Sequence, residues 1–156
     1  MEKLYRSVVS SPVGPLTVAV SERGVREIHF GDVNLPGAED NARHTSTITR
    51  QLREYFSGQR QRFDLKLDWR GTPFQQSVWR ALLRVPYGKT ATYADIARKV
   101  GKPLAYRAVG GANRANPIPI VVPCHRVLGS DGSLTGYSGP TRLDIKAQLL
   151  QLESGR

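Results

Sequence analysis

Hydrophobic and polar residues alternate in several short runs near the amino terminus. Three of these runs are Leu4–Val9, Leu16–Ser21 and residues 25–30. Turn sequences, Ser-Pro-Val-Gly-Pro and Glu-Arg-Gly, separate them, and connections this short favour an antiparallel meander. A one-sided apolar pattern predicts a helix over Ser46–Phe56, after a loop over residues 31–43. Alternation over residues 63–67 predicts one more strand.

Helical spacing replaces this alternation in the second half of the chain. The sequence Thr72-Pro73-Phe74-Gln75 is a capping box with proline at the first helical position, and it predicts a core-facing helix. A second capping pair, Thr92 and Asp95, begins the first of two short helices. Pro103 begins the other, which runs to Arg114. Two helices of this size joined by Gly-Lys-Pro match a helix-turn-helix.

The remaining patterns complete a mixed fold. The β-branched residues 120–122 predict a short buried strand that leads to position 124. A last helix is predicted from about Thr141, with an apolar stripe formed by Leu143, Ala147 and Leu150. The sequence therefore predicts an α/β (α+β) chain with two domains. Residues 1–68 form a supporting domain with an antiparallel sheet and a helix, and residues 69–156 form a mostly helical domain.

Positive charge is concentrated in the second half of the chain. The net charge is +10, with +8 in residues 71–156 and +2 in residues 1–70. This excess is typical of proteins that bind polyanions, so nucleic acid is the predicted partner, with simple solubility as the alternative. The apolar runs are too short for a membrane span or a signal peptide. One cysteine and three scattered histidines give no metal-ligand spacing. We expect a cytoplasmic protein with no metal, cofactor or membrane partner.

Two glycines interrupt the second helix of the predicted pair. Arg107 and Arg114 are seven residues apart and therefore share a face, with Gly110 and Gly111 between them. Each glycine costs a helix interior about 1 kcal/mol relative to alanine. A helix that keeps both needs a bare surface, either for a neighbouring helix or for a DNA backbone. The two arginines favour DNA.

Cys124 is the only cysteine in the chain. A lone cysteine is more often a small buried hydrophobe than a nucleophile. The predicted strand end and the adjacent His125 and Arg126 favour the second role, because neighbouring cations stabilise a thiolate over a thiol. The local sequence alone leaves both roles open.

Several motifs in residues 70–153 resemble the O6-alkylguanine-DNA alkyltransferases, also called methylated-DNA–protein-cysteine methyltransferases. These motifs are Arg107-Ala-Val-Gly-Gly, Asn116-Pro117, Ile-Val-Val-Pro-Cys-His-Arg-Val and Tyr137-Ser138-Gly139. The resemblance extends more loosely to Ser-Pro-Val-Gly-Pro-Leu near the amino terminus. It implies a ribonuclease-H-like first domain, a winged helix-turn-helix-like second domain and DNA repair by direct reversal of damage.

The resemblance also implies a chemistry. Members of this family transfer an alkyl group irreversibly from O6-alkylguanine to a protein cysteine, and O4-alkylthymine is a second expected substrate. Cys124 would be the acceptor, because a soft thiolate suits attack at an sp3 carbon. His125 would take the thiol proton through a water, and Glu153 would orient His125 and stabilise its cationic form. Tyr93 would donate a proton to the leaving guanine.

Further residues are assigned by the same resemblance to DNA and base contacts. The helix-turn-helix would enter the minor groove of double-stranded DNA through Ala105, Arg107, Gly110, Gly111 and Arg114. Arg107 would fill the gap that base flipping leaves in the stack. The base pocket would be lined by Val127, Tyr137, Ser138, Gly139 and Lys146. Asn116 would brace the turn between the second helix and Cys124.

Two features depart from the family pattern. The segment from Gly139 to Lys146 is longer than that pattern, with Pro140 in place of a glycine, which affects the pocket rim and the assignment of Lys146. Residues 1–68 contain no cysteine, so they cannot form the cysteine-bound zinc site that some members carry there.

Two other functions compete with alkyl transfer. A thiol hydrolase of Cys-His-Glu type would turn over repeatedly and would not need the basic half. A DNA-binding damage sensor would bind without transfer, but non-transferring relatives carry another residue in place of the cysteine, so Cys124 counts against it. We expect a monomer in solution, associated with the nucleoid in a prokaryote, and cooperative assembly on DNA is left open.

Overall fold

The computed structural model describes residues 2–134 and 140–155, apart from the side chains of residues 140–142. Its contacts divide the chain into two units, Met1–Arg70 and Gly71–Arg156. Among the described residues, the helices are too short or too polar to cross a membrane.

The first unit is a four-stranded sheet with one helix. Its strands are β1 (Leu4–Val9), β2 (Leu16–Ser21), β3 (Gly24–Phe30) and β4 (Ala38–Asp40), in the order β3-β2-β1-β4. The predicted meander is confirmed, because β2 pairs antiparallel with both β1 and β3. Helix α1 spans Ser46–Phe56 as predicted, and it buries one face through Ile48, Leu52 and Tyr55.

Two predictions for this unit were wrong. Residues 31–43 were expected to be a loop, but β4 lies within them and pairs parallel with β1. Residues 63–67 were expected to be a strand, but their link to β3 is an isolated bridge between Leu67 and Val25. The side chain of Gln51 explains the difference. Its amide accepts from the Asp64 N–H (2.9 Å) and donates to the Asp64 carbonyl (3.0 Å), which occupies backbone groups that a strand would pair.

The second unit is mostly helical. Its helices are α2 (Pro73–Leu83), α3 (Tyr93–Lys99), α4 (Tyr106–Arg114) and α5 (Pro140–Glu153), with short parallel strands β5 (Ala91–Thr92) and β6 (Val127–Leu128). Both predicted capping boxes are confirmed: Thr72 with Gln75 begins α2, and Thr92 with Asp95 begins α3. Trp79 on α2 is buried and donates to the Ala112 carbonyl of α4 (2.9 Å), which fixes α4 against the core.

Three boundaries or faces in this unit differ from prediction. Helix α4 begins at Tyr106 and not at Pro103, because the chain first makes a turn in which the Ala105 N–H donates to the Lys102 carbonyl (2.8 Å). Residues 120–122 are buried as expected but do not form the predicted strand. Pro117, Pro119 and Pro123 surround them and cannot donate to a ladder.

The inward face of α5 is the third difference. Leu143 and Leu150 are half-buried and Ala147 is exposed, so the predicted apolar stripe was wrong. The residues that α5 buries are Ile145, Lys146, Leu149 and Glu153. Lys146 and Glu153 are seven residues apart and share a face. A buried lysine and glutamate need partners, and those partners lie around Cys124.

Candidate active site

Cys124 begins a buried 3₁₀ turn, Cys124–Arg126, directly after Pro123. The cysteine is 4% exposed, and its N–H donates to the Val122 carbonyl (2.8 Å). Asn113, on the buried face of α4, donates from Nδ2 to the Cys124 carbonyl (3.4 Å). The turn that carries the thiol is thus tied to the second helix of the helix-turn-helix.

Asn116 holds the irregular segment that leads to this turn. Its Oδ1 accepts from the Ile118 N–H (2.9 Å), and its Nδ2 donates to the Val122 carbonyl (2.8 Å). Between these two bonds, Ile120 has a φ of +76°, which is a strained conformation for a β-branched residue. Such strain costs on the order of 1–3 kcal/mol and persists only where the surroundings fix it. The Asn116 bonds and the burial of Ile120 supply that constraint.

His125 is fully buried and faces Glu153. Its Nε2 lies 2.6 Å from Glu153 Oε2, and the carboxylate is also buried. Because a carboxylate accepts, Nε2 carries the hydrogen and Nδ1 is left as an acceptor. Within residues 2–134 and 140–155, no side-chain or backbone group bonds to Nδ1. An acceptor buried in this way needs a donor, and a water fits that need.

Arg126 is the second partner of Glu153. It donates from Nε to Oε1 (2.7 Å), from Nη2 to Oε2 (3.0 Å), and from Nη1 to the Val85 carbonyl (2.8 Å). The sequence had suggested that Arg126 acts as a cation beside the thiol, but its guanidinium is committed to Glu153. One carboxylate therefore fixes both residues that follow Cys124. Sequence reasoning missed this pair, because nothing local links position 126 to position 153.

Lys146 is buried against the next residue of the turn. Its Nζ donates to the Val127 carbonyl (2.5 Å). Burial lowers the pKa of Lys146 to about 8, although the nearby Cys124 acts in the opposite direction. Burial also lowers the pKa of His125 below its usual value, against the raising effect of Glu153. The buried cluster contains two cations, Arg126 and Lys146, and one carboxylate, Glu153, so it carries an excess of positive charge when His125 is neutral.

The remaining predicted residues lie on α3, on or directly before α4, or outside the described part. Tyr93 is the first residue of α3 and is half-buried, as is Ala105, the residue before α4. Three further site residues, Tyr137, Ser138 and Gly139, lie outside the residues that the structure describes.

The outer face of α4 is bare and basic. Arg107 and Arg114 are exposed, while Val109, Ala112 and Asn113 form the buried face. A Cβ built on Gly110 or Gly111 would meet nothing within 4 Å outside the helix itself. No neighbouring helix among the described residues therefore requires these glycines. Packing against a described helix is therefore not the reason for the bare surface, and contact with DNA stays a prediction.

Comparisons with known proteins agree with this geometry. Residues 73–155 match the model of the 6-O-methylguanine DNA methyltransferase DNA binding domain, and residues 4–69 match the ribonuclease-like domain of the same family.

Similar proteins cover nearly the whole chain. A methylated-DNA–protein-cysteine methyltransferase of Methanosarcina barkeri is 49% identical over 96% of this chain and 97% of its own length. The constitutive enzyme of that name from Bacillus subtilis is 45% identical over 96% of this chain and 94% of its own.

A solved structure of a similar protein has the same fold as this chain. Mycobacterium tuberculosis OGT in complex with DNA has a TM-score of 0.90 and 43% identity, and the match covers 97% of this chain and 93% of that one. The mixed α/β fold with an amino-terminal sheet and a helical carboxy-terminal part is confirmed. The chain belongs to the 6-O-methylguanine DNA methyltransferase family.

Proposed function

We propose that this protein repairs duplex DNA by moving an alkyl group irreversibly from O6-alkylguanine, and also from O4-alkylthymine, to Sγ of Cys124. The observation that carries the proposal is the buried turn Cys124–Arg126, in which Glu153 holds His125 with Nδ1 open. The relatives named as methylated-DNA–protein-cysteine methyltransferases support the reaction type.

The proton leaves the thiol through His125. With Nε2–H directed at Glu153, Nδ1 is the ring atom that accepts a proton, and a water between Nδ1 and Sγ carries it. The imidazolium that forms is stabilised by the buried carboxylate. The thiolate then attacks the alkyl carbon, so that a C–S bond forms and the C–O6 bond breaks. A proton from Tyr93 neutralises the guanine that leaves.

Charge in the site favours the thiolate. The two positive charges of Arg126 and Lys146 exceed the single negative charge of Glu153, so a thiolate at Cys124 would neutralise the remaining positive charge of the buried cluster. A nearby positive charge favours the ionised form of an acid. Of the two cations, Lys146 acts more directly on the sulfur, because Arg126 is bound to Glu153.

Duplex DNA is bound by the outer face of α4 in this proposal. Arg107 and Arg114 are exposed there, and the two glycines allow the helix backbone to approach the minor groove closely. Arg107 enters the stack in place of the flipped nucleotide, as the family resemblance implies. The DNA complex of the Mycobacterium tuberculosis relative supports a DNA partner. Binding then weakens as salt rises, because phosphate contacts release counterions.

The base pocket lies at Val127 and Lys146, together with Tyr137, Ser138 and Gly139. A carbonyl oxygen has two lone pairs, so the Val127 carbonyl can accept from the base while it accepts from Lys146. Asn116 keeps the thiol turn in register with α4. We place the protein in the cytoplasm, at the nucleoid of a prokaryote, and acting as a monomer before any cooperative assembly on DNA.

Replacement of Cys124 by alanine is expected to abolish transfer and leave DNA affinity nearly unchanged. The test is the intact mass of wild type and Cys124→Ala after incubation with duplex DNA that carries one O6-methylguanine. Wild type gains one methyl group per chain, and because Cys124 is the only cysteine, the site of a cysteine adduct is unambiguous. Repeated turnover with unmodified protein would indicate a hydrolase, and binding without transfer would indicate a sensor.

Replacement of Gly111 by alanine is expected to separate folding from DNA binding. The new methyl group meets nothing within the protein, and alanine is a better helix former, so the free energy of unfolding rises by about 1 kcal/mol. DNA affinity falls, because the methyl group holds the helix away from the groove. Urea denaturation and fluorescence anisotropy with duplex DNA measure the two effects. A destabilised variant, or one with unchanged affinity, contradicts the role given to this glycine.

The buried Lys146 is expected to make stability rise with pH between about 8 and 10. Its native pKa is about 8, below the value of about 10.4 for an unfolded lysine. In this window the unfolded chain holds a proton that the native chain has lost, so the free energy of unfolding increases with pH. Urea denaturation at several pH values should show a steeper rise for wild type than for Lys146→Met. Lys102→Met, which changes an exposed lysine, is the control and should keep the wild-type slope. Equal slopes in all three proteins would exclude a depressed pKa for Lys146.

A further inference from the structure

Two large apolar side chains, two positions apart in the sequence, are exposed just before and at the start of α4. Leu104 is 91% exposed and Tyr106 is 49% exposed. The other large hydrophobic residues of the described chain with comparable exposure, Val8 and Leu83, lie on β1 and at the end of α2. Exposure of a single apolar residue needs no explanation, but a pair within three positions beside a functional surface does.

The pair is continuous with the face of α4 assigned to DNA. Tyr106 and Gly110 are four residues apart and lie on one face, next to the row formed by Arg107, Gly111 and Arg114. Leu104 precedes these rows, in the turn before the helix. The apolar pair therefore lies beside Arg107, at the end of the bare strip that the glycines create.

The surroundings of the pair favour DNA over a protein partner. Lys102 and Arg107 are exposed on either side of it along the chain, which suits a phosphate backbone. A patch of two side chains is far smaller than the roughly 800 Å² per partner that a stable protein–protein interface buries. Proteins that bind the minor groove frequently insert apolar side chains between neighbouring base pairs, which partly unstacks the bases. A tyrosine ring can in addition stack on a base.

We propose that Leu104 and Tyr106 form an apolar wedge that contacts the bases next to the extruded nucleotide. The wedge rests on the proposed function. Arg107 fills the space of the missing base, while Leu104 and Tyr106 hold the flanking base pairs apart and exclude water from the opened step. They are specificity-determining residues for duplex DNA, since they act on the duplex and not on the alkyl group.

The test compares two substrates in Leu104→Ser, Tyr106→Ser and the double variant. The rate of methyl transfer to Cys124 is measured with duplex DNA that carries O6-methylguanine and with the free O6-methylguanine base. We expect the ratio of the duplex rate to the free-base rate to fall roughly tenfold in each single variant and further in the double variant. Tyr106→Phe should keep the wild-type ratio, because the ring is retained. Arg107→Ala should also lower the ratio and serves as a positive control.

Leu83→Ser is the matched control, since it makes the same change at an exposed leucine on a different helix, at the end of α2. It should leave the ratio unchanged. An unchanged ratio in both serine variants overturns the wedge, as does an equal loss on the two substrates, which would indicate a distorted site. A concentration-dependent dimer of wild type that Leu104→Ser abolishes, seen by analytical ultracentrifugation, also overturns it in favour of self-association. If wild type itself transfers no methyl group from either substrate, the proposed function fails and not the wedge alone.

Discussion

The structure of the site depends on one buried carboxylate. Glu153, on the last turn of α5, accepts hydrogen bonds from Arg126 and contacts His125, and all three side chains are buried. A charge removed from water is costly unless it is paired and its hydrogen bonds are complete. Arg126 supplies the pairing, and this leaves Glu153 ionised next to the imidazole. The two residues that follow Cys124 are thereby fixed by a helix that is distant in sequence.

A second set of contacts connects this centre to α4. Asn113 reaches from the buried face of α4 to the Cys124 carbonyl, and Asn116 ties the segment after α4 to Val122. Trp79 binds the last turn of the same helix. Because α4 is held from one side by these contacts, its other side can remain bare for a ligand. The thiol and the surface assigned to DNA are therefore parts of one structural unit.

Local signals in the sequence predicted local structure well. The capping boxes at Thr72 and Thr92 fixed the starts of α2 and α3, because each depends on a side chain three residues away. The prediction of α1 rested instead on apolar residues at helical spacing, which is also a local signal. Two strand predictions failed where a side chain competes for the backbone. The side chain of Gln51 bonds the backbone N–H and carbonyl of Asp64, which a β-ladder would otherwise pair. The side chain of Asn116 likewise bonds the Val122 carbonyl, and prolines around residues 120–122 remove backbone donors.

The site itself could be predicted only in part from the residues. The motif around Cys124 indicated a thiol with neighbouring cations, but the link to Glu153 came from family resemblance. Periodicity misplaced the inward face of α5, because it treats lysine and glutamate as outward-facing. Lys146 and Glu153 face inward because their hydrogen-bond partners lie there. Lys146 bonds the Val127 carbonyl, and Glu153 bonds His125 and Arg126. Such pairing is a property of the tertiary structure, and no window of sequence contains it.

The central claim is that Glu153 activates His125 as well as stabilising the fold. Glu153→Gln and the double variant Arg126→Gln/Glu153→Gln separate these roles, because the double variant removes the unpaired buried charge that the single one creates. The measurement is the single-turnover rate of methyl transfer to Cys124, with folding monitored by circular dichroism. We predict that the double variant regains stability relative to the single variant but transfers roughly a hundredfold more slowly than wild type. A folded double variant that reacts at the wild-type rate would contradict the account.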